Sequence, residues 1–354
     1  MLSGNALNTI KACRFCWMCR HLCPVGLVTG KESNTPRAKA LLLDMEQKGT
    51  TDMQVYAEDM FQCALCASCA TNCETGYEPP VFIREARRNI VANGLAPDYV
   101  MDVIEKLMTA EAETQKPASE TADVLVYIGA HGTETAKEMA DAFGSVLTKA
   151  GITFKTLTAE PTDGNELYDL IGETAEVKAV AKKCADAINA AGVKKVVVLN
   201  PSAARMFLQE YPAWGLELTA EVVTATAFAA ELLKEGKLKM KQAAGVVTYH
   251  DPCRLARDLE ETEPARELIR AMGYELKEMI QSKKLTKCCG GLVLNAHSPK
   301  LAQLTASGRI NDADRIDVSA MFTACPGCRS VLQNGDGKAE VKDLFVVLNE
   351  NTLY

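Results

Sequence analysis

No stretch of this 354-residue chain approaches the ~18–20 consecutive apolar residues that a membrane-spanning helix needs. The longest candidate, VVTATAFAAELL from Val222, is short and flanked by charge. The Met-Leu-Ser-Gly start lacks a basic segment followed by an apolar one, so no export signal is expected. A basic surplus is missing too. The 39 Lys and Arg against 46 Asp and Glu leave a formal net charge of −7, which argues against nucleic acid, whose phosphates reward basic surfaces. A glycine-bearing turn in VYIGAHGTETA could bind phosphate or flavin at a helix N-terminus. Yet the G-x-G-x-x-G spacing is absent, and no acidic residue is placed for a ribose. The expectation is a cytoplasmic chain without transmembrane segments, peripheral at a membrane only through partners. Its length, with 47% apolar and 24% charged residues, suits an ordinary globular protein of two or three domains.

What the chain has in excess is cysteine. Eight of its fourteen lie in the first 73 residues, five lie after residue 252, and Cys184 stands alone. In a reducing compartment, tight CxxC spacings read as metal or redox sites rather than disulfides. CRFCWMCRHLCP supplies Cys13, Cys16, Cys19 and Cys23; CALCASCATNCE supplies Cys63, Cys66, Cys69 and Cys73. Both runs have the C-x2-C-x2-C-x3-C spacing of two-cluster bacterial ferredoxins, in which the fourth thiolate ligates the other cluster. Cys13, Cys16, Cys19 and Cys73 are therefore assigned to one 4Fe–4S cluster, and Cys63, Cys66, Cys69 and Cys23 to the second. Zinc, held by two CxxC-type pairs, fits two complete four-cysteine runs poorly. Glu74 stands where the ferredoxin pattern has proline, and a carboxylate there should make that cluster harder to reduce. Trp17 would shield a cluster from water or simply pack in a core, and no spacing gives His21 a role. Between and after the runs, Pro36 to Gly49 and the PPVFIREARRNIVANG segment read as helices. Arg84, Arg87 and Arg88 in the latter either offset cluster charge or form a solvated basic face.

Residues 109–122 are polar and patternless, a linker. Beyond it the pattern alternates strand and helix, which predicts parallel strands with crossover helices. It does so twice. GVVTYHDPCR repeats DVLVYIGAHG, AMGYELKEM repeats KAGITFKTL, and FTACPGCRSVL repeats VVLNPSAARMF. Aligned in this way, His131 lies opposite Cys253, Asn200 opposite Cys325 and Ala203 opposite Cys328, with EPTDG near the place of KCCGG. The domains expected are 1–108 (two clusters), 123–240 (a unit that has lost its cysteines) and 241–354 (an intact unit), with Thr219 to Glu235 a helical bridge between the copies.

In the second copy Cys253, Cys288, Cys289, Cys325 and Cys328 all fall at strand ends or the loops that follow, which line one crevice of an open α/β sheet. A tetrahedral zinc needs four ligands; a multi-iron cluster can use more, and the adjacent pair Cys288 and Cys289 can take different irons. His250, beside this site, would donate a proton or tune it by hydrogen bonding, or be a satisfied strand-end histidine. Cys184 has the spacing of a buried apolar residue, and His297 has no evident partner.

HDPCRLAR, KCCGG and CPGC resemble the signature of the CCG domain. That domain occurs in the B and D components of heterodisulfide reductase and in the iron–sulfur subunits of glycolate oxidase, anaerobic glycerol-3-phosphate dehydrogenase and lactate utilisation systems. TPRAKA, IREARRNIVANGLAP and EPAREL are similar to the same proteins, and the likeness covers nearly the whole chain. It implies an α+β multidomain fold, a helical ferredoxin-like domain followed by a duplicated α/β parallel-sheet CCG-type domain. It also implies that the five late cysteines hold a third, noncubane 4Fe–4S cluster, another cluster or zinc. The first unit departs at His131, Asn200 and Ala203, which favours an electron-relay subunit over a true heterodisulfide reductase. The expected function is an iron–sulfur electron-transfer subunit of a multi-subunit oxidoreductase. Its partner would be a flavoprotein dehydrogenase or oxidase subunit or an electron-transfer flavoprotein, with quinone or another iron–sulfur protein beyond. The alternatives are disulfide reduction at the C-terminal cluster and a structural zinc there.

Overall fold

The structure is a computed structural model and describes residues 2–14, 16–109, 122–129, 133–157 and 159–353. Its first part is helical. Ser3 and Thr35 each offer a side-chain oxygen to a backbone N–H three residues on, starting helices Gly4–Ala12 and Pro36–Gln47. With Met53–Phe61 and Pro79–Ala92 these bury Leu43, Met60, Phe61, Phe82, Ile83 and Ile90. Leu167, Leu170 and Ile171 of the following α/β unit join the same apolar cluster. The two parts therefore share a core, whatever course the chain takes between them; most of the expected linker lies outside the described residues.

Two of the three arginines on Pro79–Ala92 correct the picture of a solvated basic face. Arg87 is fully buried and donates to the carbonyls of Met60 (2.9 Å), Phe61 (3.1 Å), Cys63 (2.6 Å) and Asp169 (2.7 Å). Arg84 is buried against the Asp169 carboxylate at 3.0 Å. A buried guanidinium is tolerated because its fork of donors is filled by oxygens.

Eight short strands follow: β1 (Val124–Tyr127), β2 (Phe154–Lys155), β3 (Lys195–Val198), β4 (Glu221–Thr224), β5 (Val246–Tyr249), β6 (Glu275–Leu276), β7 (Ala320–Thr323) and β8 (Glu340–Asp343). They form two parallel sheets of the same order, β2-β1-β3-β4 and β6-β5-β7-β8, which fits a duplicated unit. Helix Glu134–Lys149 of the first unit and the last helix, Leu344–Asn351, of the second pack on each other. Phe143 meets Phe345 edge to face at 4.9 Å, and both lie in one apolar cluster with Phe228, Leu268 and Ile269. The stretch expected as a helical bridge opens as strand β4 and becomes helix only at Ala225–Lys234. Val222, Val223 and Thr224 are β-branched and pair with β3, and the Thr224 hydroxyl then caps the helix.

Asp343 ends β8 and caps the last helix, accepting from Phe345 N (2.8 Å) and Val346 N (3.1 Å). Burial nevertheless pushes its pKa up to about 7, against the pull of those two N–H groups. A folded carboxyl that holds its proton above the unfolded value favours folding at low pH, and that advantage is lost as pH rises through about 7. Asp343→Asn keeps a capping oxygen and abolishes the charge. It should raise thermal stability by about 1 kcal/mol or more at pH 8, with the gain vanishing near pH 4. A gain of equal size at both pH values, measured by thermal unfolding, would contradict this.

Candidate metal centres

Cys13 closes the first helix, Cys16 is exposed, and Cys19 lies on Met18–Leu22. Cys23 starts Pro24–Thr29, its Sγ accepting from Gly26 N at 3.4 Å. In the second run Leu65 and Ala67 have φ of 49° and 59°, left-handed values that curl the loop and aim Leu65 N–H at Cys63 Sγ, 3.4 Å away. Cys23, Cys63, Cys66 and Cys69 line one small cavity with the buried Lys39. Burial, then the Cys63 and Cys66 thiols, push Cys23 up to about 12. Around the buried Tyr77, whose hydroxyl donates to Pro36 O at 2.6 Å, the structure gathers Cys13, Cys19, Cys69 and Cys73. Trp17 does not shield this group from water. It is 43% exposed, with the Arg37 guanidinium 3.5 Å over its ring. His21 is solvent-facing.

The five late cysteines meet. Cys253 follows β5; Cys325 follows β7 and caps helix Pro326–Leu332, accepting from Cys328 N at 3.3 Å; Cys288 and Cys289 lie on the loop before helix Gly291–His297, with Gly290 N directed at Cys288 Sγ, 3.4 Å away. Cys288 makes side-chain contacts with Cys253, Cys289 and, from the amino-terminal domain, Cys66. Cys289 in turn meets Cys328, and Cys328 meets Cys325. The Cys66 contact is the feature the sequence did not announce, since no spacing links residues so far apart in the chain. The Cys288 hydrogen bond is the largest influence on the Cys66 thiol and, with help from Arg257 and Arg254, lowers it to about 6 against burial. Arg257 clasps the junction, donating to Cys66 O (2.6 Å) and to the carbonyls of Lys284 (3.1 Å) and Thr286 (2.6 Å).

Gly327 lets the CPGC turn close, because a Cβ there would lie 2.8 Å from Leu292 Cγ. Asp251, between His250 and Cys253, is held by Arg266 (2.6 and 3.0 Å), itself paired with Glu278. Asp251 also accepts from Lys283 N (2.8 Å), and its carbonyl accepts from Thr286 Oγ1 (3.1 Å). That network ties the HDPC turn to the KCCGG loop. Above the five cysteines opens a cleft of ≈ 790 Å³, whose far wall is the first α/β unit.

In that first unit other side chains stand at the equivalent positions, Glu160 and Asn200 facing the same cleft. Glu160 accepts from Ile128 N and Gly129 N, each at 2.9 Å, at the end of β1, Asn200 caps the next helix through Ser202 N, and Ala203 is buried. A carboxylate on those N–H groups also opposes the phosphate-binding reading of this turn. His131 lies outside the described residues. Cys184 is buried, 3.6 Å from Tyr127 Oη, as its spacing implied. His297 bonds Ser298 Oγ (3.0 Å) and packs on Phe61 and Tyr99; burial lowers it to about 3.

The donor sets suit iron–sulfur binding. Apart from the exposed Cys16, the cysteines of the two amino-terminal runs and the five late ones are buried or half-buried, and backbone N–H groups are aimed at Cys23, Cys63, Cys288 and Cys325, which favours thiolate over thiol.

Comparison with known proteins agrees. A sequence model for a 4Fe-4S dicluster domain matches residues 9–77, and one for the cysteine-rich CCG domain matches residues 247–333. The chain thus carries a 4Fe-4S dicluster domain and a cysteine-rich CCG domain. It is 28% identical to the D component of the dihydromethanophenazine:CoB–CoM heterodisulfide reductase of Methanosarcina acetivorans, over 98% of this chain and 95% of that one. It is 27% identical to a probable iron-sulfur-binding oxidoreductase, FadF, of Bacillus subtilis, over 82% of this chain but 45% of that protein. The EtfAB:quinone oxidoreductase of Syntrophomonas wolfei is 26% identical, over 84% and 46%. By their names these relatives are iron–sulfur oxidoreductases or subunits of oxidoreductases. A crystal structure of a hypothetical protein from Helicobacter pylori shares the fold, with a TM-score of 0.63 at 11% identity, over 89% of this chain and 67% of that one. Among the described residues no helix is long and apolar enough to cross a membrane.

Proposed function

We propose that this chain is an electron-relay subunit of a multi-subunit oxidoreductase. The observation that carries the reading is the contact between Cys66 and Cys288, which brings the amino-terminal thiol groups edge to edge with the CCG thiols. In this assignment Cys13, Cys16, Cys19 and Cys73 hold one 4Fe–4S cluster, Cys63, Cys66, Cys69 and Cys23 a second, and Cys253, Cys288, Cys289, Cys325 and Cys328 a third, noncubane one. Clusters so held supply one-electron redox chemistry. The protein's own residues bury the sulfurs, direct N–H groups at them, and fix the junction with Arg257, Arg254 and Arg87. The exposed Cys16 gives the relay one end at the surface, and the cleft gives it the other. A flavoprotein partner, dehydrogenase or electron-transfer flavoprotein, would exchange electron pairs with this chain, with quinone or a second iron–sulfur protein on the far side.

The test is anaerobic purification of the full chain followed by iron, acid-labile sulfide and zinc analysis, with EPR of oxidised and reduced samples. About twelve irons and a third distinct signal are expected. About eight irons with one zinc would make the CCG site a structural clasp and end the relay reading for this half.

A second reading is favoured by the ≈ 790 Å³ cleft itself, which opens directly on all five cysteines. There a disulfide could take two electrons and two protons, breaking its S–S bond to give two thiols. Turnover of a disulfide with a reduced viologen and this chain alone would support it; no turnover without a partner leaves the relay.

A further inference from the structure

His250 ends up between two different kinds of neighbour. The ring is 1% exposed. On one side the Arg309 Nε–H donates to its Nδ1 at 3.2 Å. On the other, a ring nitrogen of His250 and the sulfurs of Cys289 and Cys328 lie within 4.8 Å of one another. Nε2 is buried and makes no close hydrogen bond, and the Cys289 side chain is within its reach. Three groups of ligating type this close together invite the reading that His250 binds metal.

The chemistry of the other nitrogen decides against that. Arginine has five N–H donors and no acceptor, so Nδ1 must present its lone pair to Arg309. A histidine that ligates through Nε2 needs the Nε2 lone pair as well, and it ordinarily donates its remaining N–H to a carboxylate, carbonyl or water. Here both lone pairs would be committed and the ring would have to lose its last proton. With Nδ1 accepting, that proton belongs on Nε2, where it faces sulfur.

Arg309 is not free to turn away. It is fully buried on helix Pro299–Asp314, with Nη2 3.4 Å from Thr286 Oγ1 and Nη1 3.6 Å from Asp312 Oδ2. Asp312 also pairs with Lys287, which precedes Cys288, at 2.6 Å. The same polar chain that steadies the KCCGG loop therefore sets the histidine tautomer.

We propose that His250 is a neutral Nε2–H donor to the Cys289 or Cys328 thiolate, its tautomer fixed by Arg309, and that it tunes the third centre instead of ligating it. This rests on the reading that the five cysteines hold an iron–sulfur cluster. Hydrogen bonds to cluster sulfurs are among the levers that set reduction potential. A donor N–H stabilises the more negative, reduced state, so removing it lowers the potential.

The test compares wild type, His250→Gln and His250→Phe as full chains purified anaerobically, by potentiometric EPR titration with iron and zinc analysis. Glutamine can set an amide N–H where Nε2 was; phenylalanine cannot. In His250→Phe the third signal's midpoint should fall so that, at a fixed potential, its reduced-to-oxidised ratio drops about tenfold, equivalent to about 59 mV for one electron. The two amino-terminal midpoints should stay put, and His250→Gln should recover most of the shift. Pulsed EPR of wild type labelled with 15N-histidine should show a weak coupling, transmitted through a hydrogen bond, that both variants lose. A strong coupling of directly bound nitrogen would make His250 a ligand and overturn the proposal. So would an unchanged midpoint in His250→Phe with its iron intact. If His250→Phe loses the third centre, His250→Gln decides: a midpoint close to wild type supports the donor role, and loss of iron there too refutes it. Zinc in the wild type, with no third EPR signal, is a different failure, because it removes the iron–sulfur reading itself.

Discussion

Cys288→Ser is expected to empty the carboxy-terminal centre while leaving the amino-terminal eight cysteines loaded, a loss of about four of about twelve irons per chain. Cys288 is the hub of its group. Its side chain meets Cys253, Cys289 and Cys66, it is 2% exposed, and it also takes Gly290 N–H. A serine hydroxyl is shorter, harder and far less acidic than a thiol, so it neither spans these contacts nor replaces a thiolate ligand. A reductive titration should then drop from about three electrons per chain to about two, one for each remaining 4Fe–4S cluster. Cys184→Ser provides the contrast: Cys184 is buried in an apolar cluster beside Tyr127, and the change should leave iron content untouched. If Cys288→Ser kept all its iron and its third signal, the assignment of the five cysteines would be wrong.

The parts of this architecture readable in the sequence are those written in local spacing. The cysteine runs repeat at short intervals, and the strands read as β-branched runs ended by turn residues. The repeated pattern showed because Pro201 and Pro326 hold the same place after β3 and β7. What could not be read depends on contacts between distant segments. Arg84, Arg87 and Arg88 look alike in sequence, but only packing against Asp169 and the carbonyls before Cys63 buries two of them. Trp17 lies inside a cysteine run and still faces solvent, stacked under Arg37, because the backbone at Trp17 turns to φ 70°. Cys66 meets Cys288 because the first domain shares a core with the α/β units, and periodicity carries no information about that docking. Strand β4 was masked by the alanine-rich helix that follows it, whose pattern dominates the window.

Asp169→Asn should destabilise the protein by about 3–5 kcal/mol at neutral pH, the cost of leaving buried charge without its partner. Asp169 stands where three parts of the chain join. It lies on helix Asn165–Ile171 of the first α/β unit, with one oxygen 3.0 Å from Arg84 Nε of the amino-terminal domain and the other 2.7 Å from Arg254 Nη2, the residue after Cys253. Arg254 is further held by Asp258 at 3.0 Å. Burial would raise the Asp169 pKa, but Arg254 and then Arg84 outweigh it and bring it down to about 2. A carboxylate depressed below its unfolded value contributes stability that is complete above about pH 4 and is lost as pH falls through about 2. Asparagine cannot titrate. Wild type and variant should therefore differ most above about pH 4 and converge as pH falls through about 2, where the wild-type side chain takes up its proton. Anaerobic thermal unfolding across that range would show it; a gap independent of pH would mean that shape, and not charge, carries the contribution of Asp169. Because Arg254 adjoins Cys253, the variant should also broaden the third EPR signal at neutral pH while the amino-terminal signals keep their form. A purely structural weakening, spread over the shared core, would alter all three alike.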